Sequence, residues 1–389
     1  MSKDTSRITE VQTSESIEDD DVHTHWQRVV GRRSFLKGVG VAGAAALPGS
    51  ALFTSEAFAR SSGVTGGDIA ILRFLAAAEL IETDLWQQYN ELGGVNGGNP
   101  AYMAALENLD EDMPQYISDN TDDEVSHAKF LNAYLKSQGA KPVNLDAFRT
   151  LPSSKATGAK QVGRLTNLRE LDVDTSWYTR YRSTRNPDLG AHFRQAVTIR
   201  NQPAIPLTDA DTPPSQQAPV PPVGPQQNRM QAIANAAGFH FAFIEQGGAS
   251  LYSTMALKAS SSEVLRIVVS IGGVEVNHFG LWHDKAGNAV AQPLAGVVDP
   301  ETKVTFPDLN ASGGEATQTN LILPEPTEFL RKNLPDVSVI RPTLDRNAGA
   351  VAAVKALTAD QLFKGQSPKF FSTLMRLARA ADAAQRHVA

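Results

Sequence analysis

DEVSH at residues 123–127 and VEVNH at residues 274–278 repeat one frame, Glu-Val-x-His, in a chain that has only eight histidines. On a helix, Glu at i and His at i+3 project from one face about one turn apart, so each pair can reach a single ion. One copy would be a weak motif. Two copies oblige the chain to build two helices that carry equivalent pairs, and this requirement narrows the fold more than any other feature.

The hydrophobic pattern supplies those helices. Apolar residues at helical spacing predict helices over 68–92, 114–137, 228–258 and 260–284, with a short helical piece around 101–110. Gly93-Gly94 and Gly139 stop the first two. Ser260-x-x-Glu263 reads as a capping box for the fourth, and Thr121-x-x-Glu124 offers a later start for the second. The first and third helices share a second frame. Ile81-Glu82 precedes Tyr89 at the spacing with which Ile244-Glu245 precedes Tyr252. The order is therefore a lone Glu and then Glu-x-x-His, twice over. The longer first copy contains the loop GGVNGGNP.

Residues 140–226 are expected to be an irregular crossover between the second and third helices. Eight of the 22 prolines fall within 203–225, a density that favours extended backbone. Residues 291–389 are expected to form a loop-rich extension ending in an amphipathic helix, about 368–385. The expected fold is all-α, a four-helix bundle over residues 64–290.

Four carboxylates on the inner faces of such a bundle are too costly to bury without compensation. Two divalent ions would neutralise Glu82, Glu124, Glu245 and Glu275, with His127 and His278 adding one imidazole nitrogen each. Cysteine is absent, so any metal must sit on oxygen and imidazole, a donor set suited to iron or to manganese. Tyr89 and Tyr252 are expected to donate hydrogen bonds behind the ligands, and Glu79, one turn before Glu82, to be an additional acid. His240 and His283 have no counterpart in the repeat and are expected to be structural or exposed. A net charge of −6 and the lack of a basic stripe argue against nucleic acid as a partner.

With these residues in hand, ELIETDLWQQY, DEVSHAKFL, FIEQGGASLY and VEVNHFG resemble the ferritin-like superfamily, in particular exported ferritin-like proteins related to plant desiccation-related proteins. The resemblance implies a carboxylate-bridged centre of two iron ions, or two manganese ions, reacting with dioxygen or hydrogen peroxide in oxidative or desiccation stress. Manganese catalase and a non-catalytic stress scaffold are the alternatives it leaves open. Gly247-Gly248 and Gly272-Gly273 depart from ordinary core helices, since each Gly costs about 1 kcal/mol relative to Ala. No cysteine module exists to deliver electrons, and the crossover and extension are foreign to cage-forming ferritins, although a smaller oligomer is compatible with both.

The N-terminus carries an address. Arg32 and Arg33, in GRRSFLK, resemble a twin-arginine export signal, followed by an Ala/Gly-rich run over 39–53 and the small-x-small triplet Ala57-Phe58-Ala59. Residues 1–59 are therefore expected to be a signal peptide that engages the twin-arginine translocase. The apolar run is too short and too broken for a stable membrane span, which leaves a periplasmic or secreted mature protein.

Overall fold

The computed structural model describes residues 63–180, 194–211, 226–312 and 348–387. Arg32, Arg33, the rest of the expected signal peptide and part of the Pro-rich stretch lie outside the described residues.

Helix α1, Gly66–Gly93, starts two residues before Asp68 because Thr65 and Asp68 form a capping box. The Asp68 N–H donates to Thr65 Oγ1 at 3.1 Å, and the Thr65 N–H donates to Asp68 Oδ2 at 2.9 Å. Helix α2, Pro100–Glu107, is capped by Asn99, and helix α3 spans Met113–Ser137 with proline in its first turn. Thr121 lies inside α3 and is no cap: its hydroxyl donates to the Ile117 carbonyl at 2.6 Å and approaches that of Trp86 at 3.2 Å. The DEVSH motif consequently sits in mid-helix.

After the crossover, which includes a short helix α4, Trp177–Arg180, helix α5 runs from Arg229 to Ala256 and α6 from Ser262 to Gly287. Ser261, not Ser260, caps α6, accepting from the Glu263 and Val264 amides. The amides of Ser260 and Ser261 instead donate to the Asp68 carboxylate, at 2.8 and 3.2 Å, which joins the starts of α6 and α1. Helices α1 and α3 pack together as one hairpin and α5 and α6 as another. Helix α5 is buried on almost every face, as expected of an all-round apolar helix. Helix α6 is long and apolar enough to cross a membrane by length and composition alone, yet it directs Glu275, His278 and Trp282 into the bundle.

The crossover is irregular but far from loose. Leu165, Leu168, Leu171, Trp177, Ile199 and Ile205 are buried in the bundle core. Asp84 of α1 anchors it by accepting from the Leu165 and Thr166 amides, both at 2.9 Å, and from the Thr166 hydroxyl at 2.7 Å. Arg229, at the start of α5, pairs with Asp211 and Asp299 at 2.8 Å. Two-residue strands β1, Gln226–Gln227, and β2, Val297–Val298, pair in parallel beside it. The architecture is the all-α bundle expected. Unforeseen is helix α7, Ala350–Ala359, in a stretch read as loop; α8, Pro368–Asp382, packs on α7 and α1.

Candidate metal centre

Helices α1, α3, α5 and α6 bring six ionisable side chains together in the core. Glu79, Glu124, Glu245 and Glu275 are wholly buried, and His127 and His278 nearly so. Their donor atoms fall into two clusters, each with all members within 4.8 Å of one another: Glu79, Glu124, His127 and Glu275, and then Glu124, Glu245, Glu275 and His278. Glu124 and Glu275 belong to both, so they sit where bridging carboxylates would. His127 and Glu79 flank one side and His278 and Glu245 the other.

Both histidines turn Nδ1 inward. His127 Nδ1 lies 3.2 Å from Glu124, 3.4 Å from Glu79 and 3.5 Å from Glu275. His278 Nδ1 lies 3.2 Å from Glu245 and 3.3 Å from Glu124, while its Nε2 faces Asp123 Oδ2 at 3.2 Å. A carboxylate on the outer ring nitrogen is the arrangement that fixes the tautomer and orientation of a metal-binding imidazole.

Around this core, Asn120 donates to Glu124 at 3.0 Å and to Glu245 at 3.1 Å, and accepts from the Trp282 indole at 2.7 Å. Trp86 donates to Glu245 at 2.9 Å and stacks on Trp282. The Tyr252 hydroxyl donates to Glu79. Tyr89, by contrast, touches no ligand: its hydroxyl meets His240 Nδ1 at 2.8 Å, and His240 Nε2 meets Asp360 at 3.1 Å. This fully buried chain joins α1 and α5 to the C-terminal extension. His283 is also buried, stacked on Tyr178 and edge-on to Trp177.

The structure thus places the two acids of α1 differently from the sequence expectation. Glu79, expected behind the ligands, completes the His127 cluster. Glu82, expected in the ligand set, stands outside both clusters and faces an apolar cavity. Residues three apart share a helix face, and of the two it is Glu79 whose carboxylate comes within 3.4 Å of His127 Nδ1. Sequence reasoning also passed over Asn120, Trp86, Trp282 and Asp123. Their signal was positional, since Asn120 lies one turn before Glu124 and Trp282 one turn after His278.

Two of the four unusual glycines now have a cause. A Cβ on Gly248 would collide with Glu275 Oε2, and one on Gly272 would lie 2.8 Å from Tyr252 Cβ. Gly248 makes room for a bridging-position carboxylate, and Gly272 lets α6 approach α5. Nothing in the structure explains Gly273.

Electrostatics follow from burial. Desolvation, reinforced by Glu124, pushes Glu79 up to about 8. Desolvation and the neighbouring carboxylates also hold Glu82 and Glu275 well above the usual range. Burial pushes Glu124 up as well, but hydrogen bonds from His127 and His278 outweigh it and bring the carboxyl down to about 2. Burial disfavours both imidazolium ions, yet the facing carboxylates raise His127 to about 10 and His278 to about 12.

The donor set fits two divalent cations. Both oxygens of Glu275 and Oε2 of Glu79 are buried without a hydrogen-bond partner. Two of these oxygens have only a long ion pair to His127; buried oxygens without a hydrogen bond are costly, and a cation between the carboxylates would satisfy them. A model of the ferritin-like domain family matches residues 67–288, more than half of the chain. The chain belongs to the ferritin-like domain family. No curated protein and no solved structure matches it significantly. The buried carboxylate and histidine cluster of this ferritin-like chain is compatible with a di-metal site.

A pH signature follows for the metal-free protein. Glu79 and His127 hold their protons more tightly folded than unfolded, so folding takes up protons. Stability is then lost as pH rises, through about 8 for Glu79 and through about 10 for His127. Glu124 acts in the opposite sense, its contribution lost only as pH falls towards about 2. Metal ions replace the bound protons. The gain in Tm on metal loading is therefore expected to grow by about 5 °C or more between about pH 6 and about pH 9. A metal-free Tm that stays flat or climbs over that range contradicts this expectation.

Proposed function

We propose that this ferritin-like protein holds two iron ions, with manganese as the alternative metal, and reacts with dioxygen or hydrogen peroxide. The observation that carries the reading is the Glu275 carboxylate, fully buried with neither oxygen hydrogen-bonded. Two redox-active ions, when bound, supply a paired change of oxidation state. The chain's residues do the rest. Glu124 and Glu275, which belong to both clusters, would help hold both ions, Glu79 and Glu245 would balance charge on either side, and Asp123 would hold His278 in register. The aromatic and apolar wall of Trp86, Trp282 and Phe241 keeps water from the centre. Ferrous-loaded protein mixed with oxidant is expected to develop a ferric absorption band faster than free ferrous ion does. Oxygen release from peroxide by the manganese form alone would reassign the protein as a manganese catalase. Rates equal to those of the free ions in both forms would leave a stress or desiccation scaffold.

The protein is further proposed to leave the cytoplasm by the twin-arginine route, on the strength of GRRSFLK and the triplet at residues 57–59. Replacing Arg32 and Arg33 together by Lys is expected to hold the precursor in the cytoplasm. Unchanged export of that variant would remove the localisation.

A further inference from the structure

The C-terminal extension closes a cavity against the metal centre. Its lining comes from α1, α5, α7, α8 and the turn between the last two, and is apolar or glycine except for Glu82. Phe74, Phe243, Leu251, Val354 and Leu374 form much of the wall. The centre of a water-sized molecule can range over about 40 Å³, against roughly 10–15 Å³ for a single water. A void of this kind, lined by hydrocarbon, is one that water gains little by filling.

Its position is the second observation. Gly247 and Gly248 put bare backbone on the α5 wall, and Gly248 lies directly against Glu275. Glu82 lies at the same edge, close enough to Glu79, Glu124 and Glu245 for their charges to act on it. No hydrogen bond to its carboxylate occurs among the described residues. A molecule in the cavity would therefore meet Glu82 and the bare backbone of Gly248, which backs onto Glu275, on one side and only hydrocarbon on the other.

We propose that this cavity binds a small, uncharged, apolar molecule and presents it to the carboxylate centre, with Glu82 and Gly248 at the point of contact. The inference rests on the proposed function and narrows it. Hydrogen peroxide would have to shed its hydration with little on the walls to replace it, whereas dioxygen or a small hydrocarbon loses nothing on entering. The role of α7 and α8 is then to complete the binding site.

Xenon, which is apolar and close to dioxygen in its demands, tests the site without any metal; benzene tests room for a hydrocarbon. The full mature chain, metal-free, is expected to bind one xenon in this cavity in crystals under xenon pressure and to show the same site by ¹²⁹Xe NMR. Ala353→Phe fills the cavity from α7, away from every proposed ligand. It is expected to weaken xenon binding at least about tenfold, the factor that 1.4 kcal/mol of lost apolar burial represents. Metal content should stay unchanged. In the iron-loaded protein the same substitution should slow oxidation by dioxygen by about tenfold while leaving oxidation by peroxide as it was. If Ala353→Phe melts early, Ala356→Leu on the same helix takes its place. Benzene competing with xenon would identify a hydrocarbon-sized site, and xenon alone a dioxygen-sized one. Failure of wild-type protein to bind either probe, or an unaltered dioxygen rate in a variant that has lost xenon, would overturn the proposal. Xenon binding in a protein that takes up no metal would leave the cavity standing and remove the proposed function instead.

Discussion

Glu275→Ala is expected to abolish uptake of both metal ions together. Both donor clusters include Glu124 and Glu275, so losing one shared carboxylate opens each of them. Glu124 is already engaged by Asn120, His127 and His278, and cannot swing to cover both vacated positions. The loss of affinity should be at least about a hundredfold, since even residues that only support metal ligands cost ten- to a hundredfold. His127→Ala and His278→Ala each belong to one cluster, and each should preferentially lose one ion. Elemental analysis after anaerobic reconstitution reads the difference. If Glu275→Ala keeps one tightly held ion, the shared-carboxylate geometry is wrong.

Gly248→Ala should produce nearly the same loss without removing any donor atom. The added methyl would overlap Glu275 Oε2 and lie 3.1 Å from Glu275 Cδ. Glu275 must then rotate, and Gly248 is buried within a helix packed on both sides, so the backbone has little freedom to yield. In an ordinary exposed helix the same change would stabilise by about 1 kcal/mol. Here metal content is expected to fall below half of wild type while the metal-free protein keeps its helix content. Full metal content in Gly248→Ala would show that Glu275 does not bridge. Gly273→Ala is the control, because a Cβ there meets nothing within 4 Å.

The bundle and most of its centre were legible in the sequence for physical reasons. Glu-x-x-His at helical spacing is rare, and its repetition in a chain otherwise poor in histidine left few folds that could use it. The interior of α5 was legible as an apolar helix, and Gly94 as its neighbour helix's stop. The choice between Glu79 and Glu82 was not, because helical periodicity gives both the same face. That choice is made in three dimensions, by Tyr252 reaching Glu79 from α5 and by the apolar space beside Glu82. Asn120 carried only a positional signal, one turn before Glu124, which a buried amide shares with many ordinary helix residues. Its value lies in joining Trp282, Glu124 and Glu245. His240 was expected to be structural or exposed and is wholly buried, because Asp360, far along the chain, supplies its second partner. Helix α7 was hidden by its composition: AVAAVKALTA is too uniformly small to show an apolar stripe, and it is helical here because α8 and α5 receive its buried face.

Whether two ions lie between these helices is read most directly by anomalous diffraction from crystals of reconstituted protein, recorded at the iron and manganese edges. Two peaks per chain are expected. One lies among Glu79, Glu124, His127 and Glu275, and the other among Glu124, Glu245, Glu275 and His278. A single peak, a pair that excludes Glu275, or a buried carboxylate cluster that holds no metal at all would contradict this expectation.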